Sequence, residues 1–574
     1  MLKSSLGLLI ICLWAQFLEA KKNIVVILSD EESITPHGWE EVIDTWAQEE
    51  LPARQMLKKR GKEFKNAYAN ATACVPARGV FYTGQDPEIT ELKNTNGMAK
   101  QLGDPRMTEL APKSVPTVGH WLQEAGYDEE KLSYFGKFHL ADRDLYDEKG
   151  KLLQTLSPKF KEIPENIQAY RDAKVLKDFG FPNEWFGPEP HGPDIENDGF
   201  HRDPIYVREF QTFINQQASL REDGDERPFV SFVNLVNPHD IVLMWKYLLD
   251  RKLHIDQNAP IPPVCRETDV LDLSFEASVH KDYQYTYKKM YCWIWAINSI
   301  YKGEENINKL RQFYYGLLKK SDEHLMSIIN ILKEANFYDD TIIIFSSDHG
   351  DYLGRRGGQQ QKWHGLFEEI VHVPLFISGP GIKPGIVKQF VGHVDVLPTI
   401  LGLLNIDANE TLQKLENNFT KALPLLGRDL SGILFDDEQE DFSRVVYSRT
   451  EDDISHGKNN YALTWYNLLP RWMLPLVPFG TFKPIQGSRF VESIRFYERG
   501  KRWSFMRYWD PDGKNPDEYR LYNLDDDGFE VNNLLQNFDS INLLESKIRD
   551  HERFVTFVRY KTKLKRWREF YRHI

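Results

Sequence analysis

Cysteine is scarce in this chain, with four in 574 residues. That number excludes the small, disulfide-dense domains of many secreted proteins. Long apolar runs are missing as well, because no segment after the first 20 residues reaches the roughly 20 apolar residues of a membrane-spanning helix. We therefore predict a compact protein with no transmembrane segment.

Positive charge is in the minority, since 72 Lys and Arg stand against 85 Asp and Glu, for a formal net charge of -13. Phosphate binding needs a local excess of Lys and Arg, so a nucleic-acid partner is not expected. The basic run 561–572 is a local exception. Its interleaved aromatic residues favour an amphipathic helix packed on its own domain over a nucleic-acid arm.

The N-terminus has the pattern of a signal peptide. One early lysine precedes an apolar run from Leu6 to Leu13, and Ala20 is followed by two lysines. A membrane anchor is the alternative, but this run is too short to cross a bilayer. Sequons at Asn70, Asn409 and Asn418 suit the same compartment. We predict a glycoprotein of the secretory pathway, either secreted or lysosomal.

The loss of Cys12 with the signal peptide would leave three cysteines, an odd number for an oxidising compartment. Cys265 and Cys292 could form a disulfide around a modest loop, which would leave Cys74 with a different fate. A simple free thiol at Cys74 is the alternative.

Three apolar, β-branched runs, residues 23–29, 229–236 and 341–345, predict buried parallel strands. Helical patterns such as 117–125 lie between them, so strands alternate with helices. Polar residues follow each strand, and open α/β sheets bind ligands beyond the carboxyl ends of their strands. The sequence thus predicts an α/β fold, with a large mixed, mostly parallel sheet flanked by helices.

The sequence pattern changes after about Gly432. An acidic linker (436–441) precedes strand-like residues 445–448 and a predicted hairpin formed by 493–497 and 503–508. These features predict a smaller C-terminal α+β domain that contains an antiparallel sheet. The predicted division is a signal peptide at 1–20, a catalytic domain at 21–435 and the C-terminal domain at 436–574.

The strongest motif is Cys-Val-Pro-Ala-Arg, which runs from Cys74 to Arg78. It resembles the signature of the sulfatase family, which has an alkaline-phosphatase-like fold. In that family a formylglycine-generating enzyme oxidises the cysteine during secretion, and the resemblance implies the same for Cys74. The hydrate of this aldehyde attacks sulfur with one hydroxyl and releases sulfate through the other. Arg78 would orient and neutralise that group.

Other motifs follow in the order that sulfatases have them. Asp30 and Glu31 match the acidic pair after the first strand, and Asp348-His349-Gly350 matches the family's Asp-His-Gly. Carboxylate oxygens suit a hard divalent cation, and the family uses calcium. The resemblance implies one calcium ion, bound by Asp30, Glu31, Asp348, His349 and the side chain at Cys74. Alone, the Asp30-Glu31 pair would more often be a helix cap.

Gly-Lys-Phe-His-Leu at 136–140 resembles the family's Gly-Lys-Trp-His-Leu, with Phe138 in place of tryptophan. Lys137 and His139 share one face of an extended segment, so both can reach the same sulfate. Phe138 is expected to pack behind them. By family analogy, His139 also removes the proton that triggers sulfate release.

His239 and Lys362 resemble the two remaining sulfate-binding positions, the expected proton donors to the departing alcohol. His364 is a rival for Lys362, since the spacing in this region varies among relatives. Residues 392–399 and 519–524 add resemblance without chemistry, which extends it over about 23–535. Within 392–399 we expect His393 and Asp395 to serve packing and helix capping, outside the site.

The departures from the family pattern bear on activity. Glu31 stands where aspartate is usual, and Gln85 where arginine is frequent. Two alternatives to a sulfatase of aryl or carbohydrate esters follow. One is a phosphate diester or phosphonate hydrolase of the same superfamily, and the other is a secreted binding protein that keeps the fold without catalysis.

Overall fold

The structure is a computed structural model, and it describes residues 22–95, 107–181, 185–190, 195–249, 254–269, 272–273, 276–290, 304–453, 485 and 487–537. The predicted signal peptide, the basic run 561–572 and Cys292 lie outside the described residues. Among the described residues, no helix has both the length and the apolar content to cross a membrane.

A seven-stranded mixed sheet forms the centre of the molecule, in the order β4-β5-β1-β6-β7-β2-β8. Its strands are β1 (Asn23–Asp30), β2 (Gly61–Phe64), β4 (Leu132–Gly136), β5 (Val230–Pro238), β6 (Thr341–Ser347), β7 (Leu375–Ser378) and β8 (Gly385–Val387). β1 pairs in parallel with β5 and β6, and β4 pairs in parallel with β5. β7 is antiparallel to both of its neighbours. A small two-stranded ladder joins β3 (Ala67–Tyr68) to β9 (Val391–Gly392).

Helices cover both faces of this sheet. The longer ones are α1 (Glu40–Glu50), α2 (Pro52–Arg60), α3 (Cys74–Thr83), α4 (Val118–Glu124), α5 (Pro164–Ala173), α6 (Gly199–Glu222), α7 (Ser278–Met290), α8 (Glu304–Glu334), α9 (Val396–Leu403) and α10 (Ala408–Leu415). Short helical turns span Pro87–Thr90, Met244–Leu249, Arg266–Asp269, Arg355–Gly358, Glu368–Val371 and Ser431–Leu434.

Alternate residues of β1 belong to two different cores, which explains why the run 24–28 is apolar throughout. Ile24 and Val26 pack in the same core as Trp121 of α4. Val25 packs on the opposite face, in a core shared with Ile328 of α8. Successive side chains of a strand point to opposite faces, so a strand with helices on both sides has no solvent face to place polar residues on. The predicted α/β class is confirmed.

A second, antiparallel sheet has the order β10-β11-β12-β13. Its strands are β10 (Val446–Thr450), β11 (Phe490–Glu498), β12 (Lys501–Trp509) and β13 (Glu518–Asn523). Arg499 and Gly500 connect β11 to β12 and both have positive φ, 53° and 74°, as a two-residue hairpin turn requires. The predicted hairpin is confirmed. Trp363 and Phe367, which lie between β6 and β7 of the large sheet, share a core with Val491 and Met506 of this sheet.

Candidate active site

Four parallel strands end at the same edge of the large sheet, and each supplies polar residues there. β1 ends at Asp30, β4 is followed by Lys137, β5 by His239, and β6 by Asp348. Because neighbouring parallel strands place their carboxyl ends side by side, residues that are distant in sequence meet at this edge.

Cys74 begins α3, a helix whose ten residues are all buried. Its Sγ lies 3.3 Å from His349 Nε2, 3.6 Å from Lys137 Nζ and 3.7 Å from Asp30 Oδ1. Burial, with the negative charge of Asp30, raises the pKa of the Cys74 thiol to about 12. An unmodified Cys74 is therefore a neutral thiol at physiological pH and a weak nucleophile.

Arg78 lies one helical turn after Cys74, on the same face of α3. Its Nε donates to Asp348 Oδ2 and one terminal nitrogen donates to Asp30 Oδ2, both at 3.0 Å. The other terminal nitrogen donates to the carbonyl of Lys137 at 2.8 Å. Arg78 is fully buried, so these contacts replace all of its hydration and join three of the four strand ends.

Asp30, Cys74, Asp348 and His349 each offer one ligand atom within 4.8 Å of the others. Burial disfavours the charged form of Asp30, but Lys137, His239 and Arg78 outweigh it and hold its pKa well below the usual range. Lys137 Nζ is 2.6 Å from Asp30 Oδ2. This carboxylate is therefore ionised in the buried site.

Glu31, the remaining residue of the predicted calcium site, lies beside this cluster. Its carboxylate forms a second group with Asp30 and His239 rather than joining Asp348 and His349. Lys362 Nζ is 3.1 Å and His239 Nε2 is 4.0 Å from Glu31 Oε2. Neither oxygen of Glu31 accepts a well-directed hydrogen bond, and burial raises the pKa of Glu31 to about 8.

The backbone of Glu31 explains this direction. Its φ is 70°, a conformation that non-glycine residues seldom adopt. Asp348 Oδ1 accepts the N–H of Glu31 at 3.1 Å, and the hydroxyl of Tyr314 donates to its carbonyl at 3.0 Å. The next residue, Glu32, is held by a buried ion pair with Arg54. Tyr314 and Arg54 belong to no motif, and sequence reasoning missed both.

Lys137 and His139 follow β4 on one loop. Burial favours a neutral amine, but Asp30 and Cys74 raise the pKa of Lys137 above its usual range. Phe138 is fully buried in the core, as expected. The carboxylate of Glu189 accepts the backbone N–H groups of Phe138 and His139, each at 3.0 Å. Glu189 thus fixes this loop, and no sequence signal marked it.

The geometry separates Lys362 from its rival His364. Lys362 Nζ faces Glu31, and neighbouring acids together with Cys74 raise the pKa of Lys362 above its usual range against the effect of burial. The His364 ring instead has Nδ1 2.9 Å from the carbonyl oxygen of Arg489. Lys362 is therefore the member of this pair that faces the site.

Several residues around the motifs lie outside the chemistry. Gln85 donates its amide to the carbonyls of Leu423 and Pro424, at 3.3 and 3.0 Å. Asp395 binds Arg444 at 2.8 Å, and His393 packs against the Phe81 ring, 5.3 Å between centroids. These contacts agree with packing roles for His393 and Asp395.

Asn70, in the first of the three sequons, is buried. It is 7% exposed, its Nδ2 donates to the carbonyl of Tyr447 at 2.7 Å, and its Oδ1 accepts from the N–H of Val394. Because a glycan is attached through Nδ2, the folded chain has no room for one at Asn70. Asn409 and Asn418 are exposed.

A mostly parallel α/β sheet with buried carboxylates, lysines and a guanidinium at the carboxyl ends of its strands is the arrangement expected of the alkaline-phosphatase-like ester hydrolases that the sequence motifs resemble. A family model described as Sulfatase matches residues 22–406. The chain belongs to the sulfatase family, whose members hydrolyse sulfate esters.

Curated relatives agree with this assignment. A choline-sulfatase of Rhizobium meliloti (strain 1021) is 27% identical over 396 residues, which are 68% of this chain and 69% of that protein. Arylsulfatase K of Homo sapiens is 25% identical over 412 residues, 68% of this chain and 64% of that protein. The match thus spans less than two thirds of the human relative.

Solved structures share the fold over nearly the whole chain. A 2-O GAG sulfatase superposes with a TM-score of 0.61 at 18% identity and covers 96% of this chain and 94% of its own. A phosphonate monoester hydrolase from Silicibacter pomeroyi superposes with a TM-score of 0.56 at 19% identity and covers 94% and 96%. At these identities the likeness concerns the fold alone.

Proposed function

We propose that the chain hydrolyses sulfate esters of aryl or carbohydrate alcohols, through a formylglycine formed from Cys74 and with one bound calcium ion. The observation that carries this proposal is the position of Cys74, whose Sγ lies within 3.7 Å of Asp30, Lys137 and His349. With a pKa of about 12, the Cys74 thiol itself is a poor nucleophile. The hydrated aldehyde offers one hydroxyl to attack sulfur and a second whose deprotonation releases sulfate.

The donor set at this edge suits a hard cation. Asp30, Glu31, Asp348 and His349 would hold calcium together with the side chain at Cys74. The two Glu31 oxygens are buried without a well-directed hydrogen bond, and burial raises the pKa of Glu31 to about 8 even with Lys362 Nζ 3.1 Å away, so the site can still stabilise the ionised carboxylate with a cation. When bound, calcium would offset the charge of the sulfate and favour ionisation of the attacking hydroxyl.

The remaining side chains bind the sulfate and move protons. Lys137 and Lys362 are both buried and cationic, so they can pair with sulfate oxygens in a water-poor site. His139 would accept the proton of the second hydroxyl. His239 or Lys362 would donate a proton to the departing alcohol as its bond to sulfur breaks. Arg78 holds the two carboxylates between which the reacting group lies.

The proposed maturation of the chain rests on its N-terminal pattern and its sequons. A signal peptide at 1–20 would direct it to the secretory pathway, where a formylglycine-generating enzyme would oxidise Cys74. The mature protein would be secreted or lysosomal, with a catalytic domain at 21–435 and a C-terminal domain at 436–574. The exposed sequons at Asn409 and Asn418 support passage through that pathway.

The test is sulfate release from aryl and carbohydrate sulfates by full-length protein from a secretory host. Cys74→Ser is expected to fold normally and to lose turnover, because serine supplies only one hydroxyl. Cys265→Ser is the matched control and should keep activity, because Cys265 is a buried free thiol outside the site. A chelator should remove activity and calcium should restore it.

A peptide mass spectrum over position 74 completes the test, since active wild-type protein must show the aldehyde. An unmodified thiol in active material, or wild-type turnover by Cys74→Ser, would refute the formylglycine role. Faster turnover of phosphate or phosphonate esters than of sulfates would assign the chain to hydrolases of those esters.

A further inference from the structure

Lys362 lies on the long connection between β6 and β7, residues 348–374, and Asp351 of this connection donates its backbone N–H to Ser33 Oγ, just after β1, at 3.1 Å. Asp351 accepts the backbone N–H groups of Leu353 and Gln361, at 2.6 and 2.9 Å. These bonds close a small loop just before Lys362 and fix where the chain enters that residue.

The other side of the connection is fastened to the second sheet. His364 Nδ1 lies 2.9 Å from the carbonyl oxygen of Arg489, the residue before β11. A carbonyl only accepts, so Nδ1 carries the hydrogen and donates. His364 is fully buried and only two residues from Lys362. Its ring therefore joins the active-site connection to the sheet of the C-terminal region.

Arg495 of β11 makes a second attachment. One terminal nitrogen donates to the carbonyl of Leu366 at 2.5 Å, and Nε donates to Glu368 Oε1 at 2.8 Å. The guanidinium is fully buried and lies over the Tyr68 ring, 4.7 Å from its centroid. A buried, two-pronged contact of this kind constrains direction as well as distance.

The backbone on both sides of Lys362 needs such support. Gln361 and His364 have φ of 63° and 61°, a region that non-glycine residues occupy only when their surroundings hold them there. Without the bonds to Arg489 and Arg495, the connection would relax toward common backbone angles and move Lys362.

We propose that His364 and Arg495 are positioning residues through which the second sheet sets Lys362 Nζ for proton transfer to the leaving alcohol. The inference rests on the proposed function of Lys362. As the sulfur–oxygen bond to the alcohol breaks, that oxygen takes a proton from Nζ, and the amine regains a proton from solvent. Proton transfer requires heavy atoms within about 3 Å, so a small displacement of Nζ removes the effect.

The test is the dependence of kcat/KM on the leaving group in full-length protein. His364→Leu and Arg495→Met are expected to lose about 100-fold on carbohydrate sulfates, whose alcohols depart only when protonated. On 4-nitrophenyl sulfate, whose phenolate departs unaided, the loss should stay within about threefold. Lys362→Met should show the same selective loss on carbohydrate sulfates. It should also lower kcat/KM on both ester classes, because it removes a contact to the sulfate.

Matched controls separate positioning from general damage. His364→Asn keeps an N–H near the place of Nδ1, and asparagine tolerates positive φ, so it should retain most activity on both ester classes. Arg507→Met removes an arginine of the same sheet that binds Glu492 and Asp517 and should change neither rate. If His364→Leu does not fold, Arg495→Lys is the variant to test, because lysine keeps the charge but cannot make both hydrogen bonds of the guanidinium.

Any of four outcomes overturns the inference. The first is an equal loss on both ester classes in His364→Leu and Arg495→Met, which would mean that the contacts only stabilise the fold. The second is full activity of both variants on carbohydrate sulfates. A selective loss in Lys362→Met alone would reject the positioning role and keep Lys362 as the acid. No selective loss in Lys362→Met would reject the proposed role of Lys362 itself.

Discussion

Replacing Arg78 by methionine is expected to destabilise the folded protein by about 3–5 kcal/mol, the usual cost of removing one partner from a buried ion pair. Arg78 is fully buried and binds Asp30 and Asp348, which are themselves fully buried. Methionine fills similar space but leaves both carboxylates without their shared cation. The loss is therefore electrostatic rather than a packing defect.

The change in melting temperature follows from the size of the chain. Unfolding entropy is roughly 2 cal/mol/K per residue, or about 1.1 kcal/mol/K for a mature chain of this length that unfolds as one unit. A loss of 3–5 kcal/mol then lowers Tm by roughly 3–5 °C. Scanning calorimetry in EDTA measures this value directly. In calcium the difference should shrink, since a cation beside Asp30 and Asp348 replaces part of the missing charge.

Arg507→Met is again the control, because a partly exposed arginine contributes at most about 1 kcal/mol through its ion pairs. A melting temperature of Arg78→Met within 1 °C of wild type in EDTA would refute the reasoning. That result would mean that Asp30 and Asp348 are not held as charged groups by Arg78.

Two further predictions concern modification and pH. Protein from a secretory host should carry glycans at Asn409 and Asn418 and none at Asn70, which is buried and donates its Nδ2 hydrogen bond to the carbonyl of Tyr447. Glycopeptide mass spectrometry decides this, and a glycan at Asn70 would contradict the structure. Burial lowers the pKa of His393 to about 3, below the value of about 6.5 expected when unfolded, so its contribution is complete above about pH 6.5 and is lost as pH falls toward 3. At pH 5 the loss is about 2 kcal/mol, measured as a drop in the urea midpoint, and His393→Leu should flatten this slope; an unchanged slope would show that His393 is not the group responsible.

The central strands could be predicted because two helical layers leave them no polar face. β1, β5 and β6 are buried at every position, and most of their residues are apolar. β2 and β8 are short strands at one side of the sheet, where a side chain such as that of Ile386 is exposed. Their sequences therefore lack the continuous apolar run that marks a buried strand. Their pairing depends on neighbours far away in sequence, which a local pattern does not encode.

The same division applies to the active site. Motifs identified Cys74 and Lys137 because the chemistry itself restricts which residue types can stand there. Tyr314, which donates to the carbonyl of Glu31, lies 283 positions later on a long helix and has no local signature. The direction of the Glu31 carboxylate could not be predicted either, because it depends on a positive φ, which the sequence does not indicate at a glutamate.

The charges of the buried groups supply an independent argument for the proposed cation. Four buried carboxyl groups and three buried cationic side chains meet here, so full ionisation leaves one negative charge in excess. They are Asp30, Glu31, Asp348 and Asp351, with Arg78, Lys137 and Lys362. A sulfate monoester adds another negative charge in a region that water does not screen, and without a further cation this repulsion would oppose binding.

With a divalent ion bound, the site and the sulfate monoester together carry no net charge. After hydrolysis, the site, the ion and the sulfate dianion together carry one negative charge. The same ion would therefore favour entry of substrate over retention of product. Burial, together with the nearby Asp351 and Asp30, raises the pKa of Glu31 to about 8, so without a cation this carboxyl keeps a proton at neutral pH. Binding of the cation should release that proton, so calcium affinity should rise with pH until Glu31 is ionised without help.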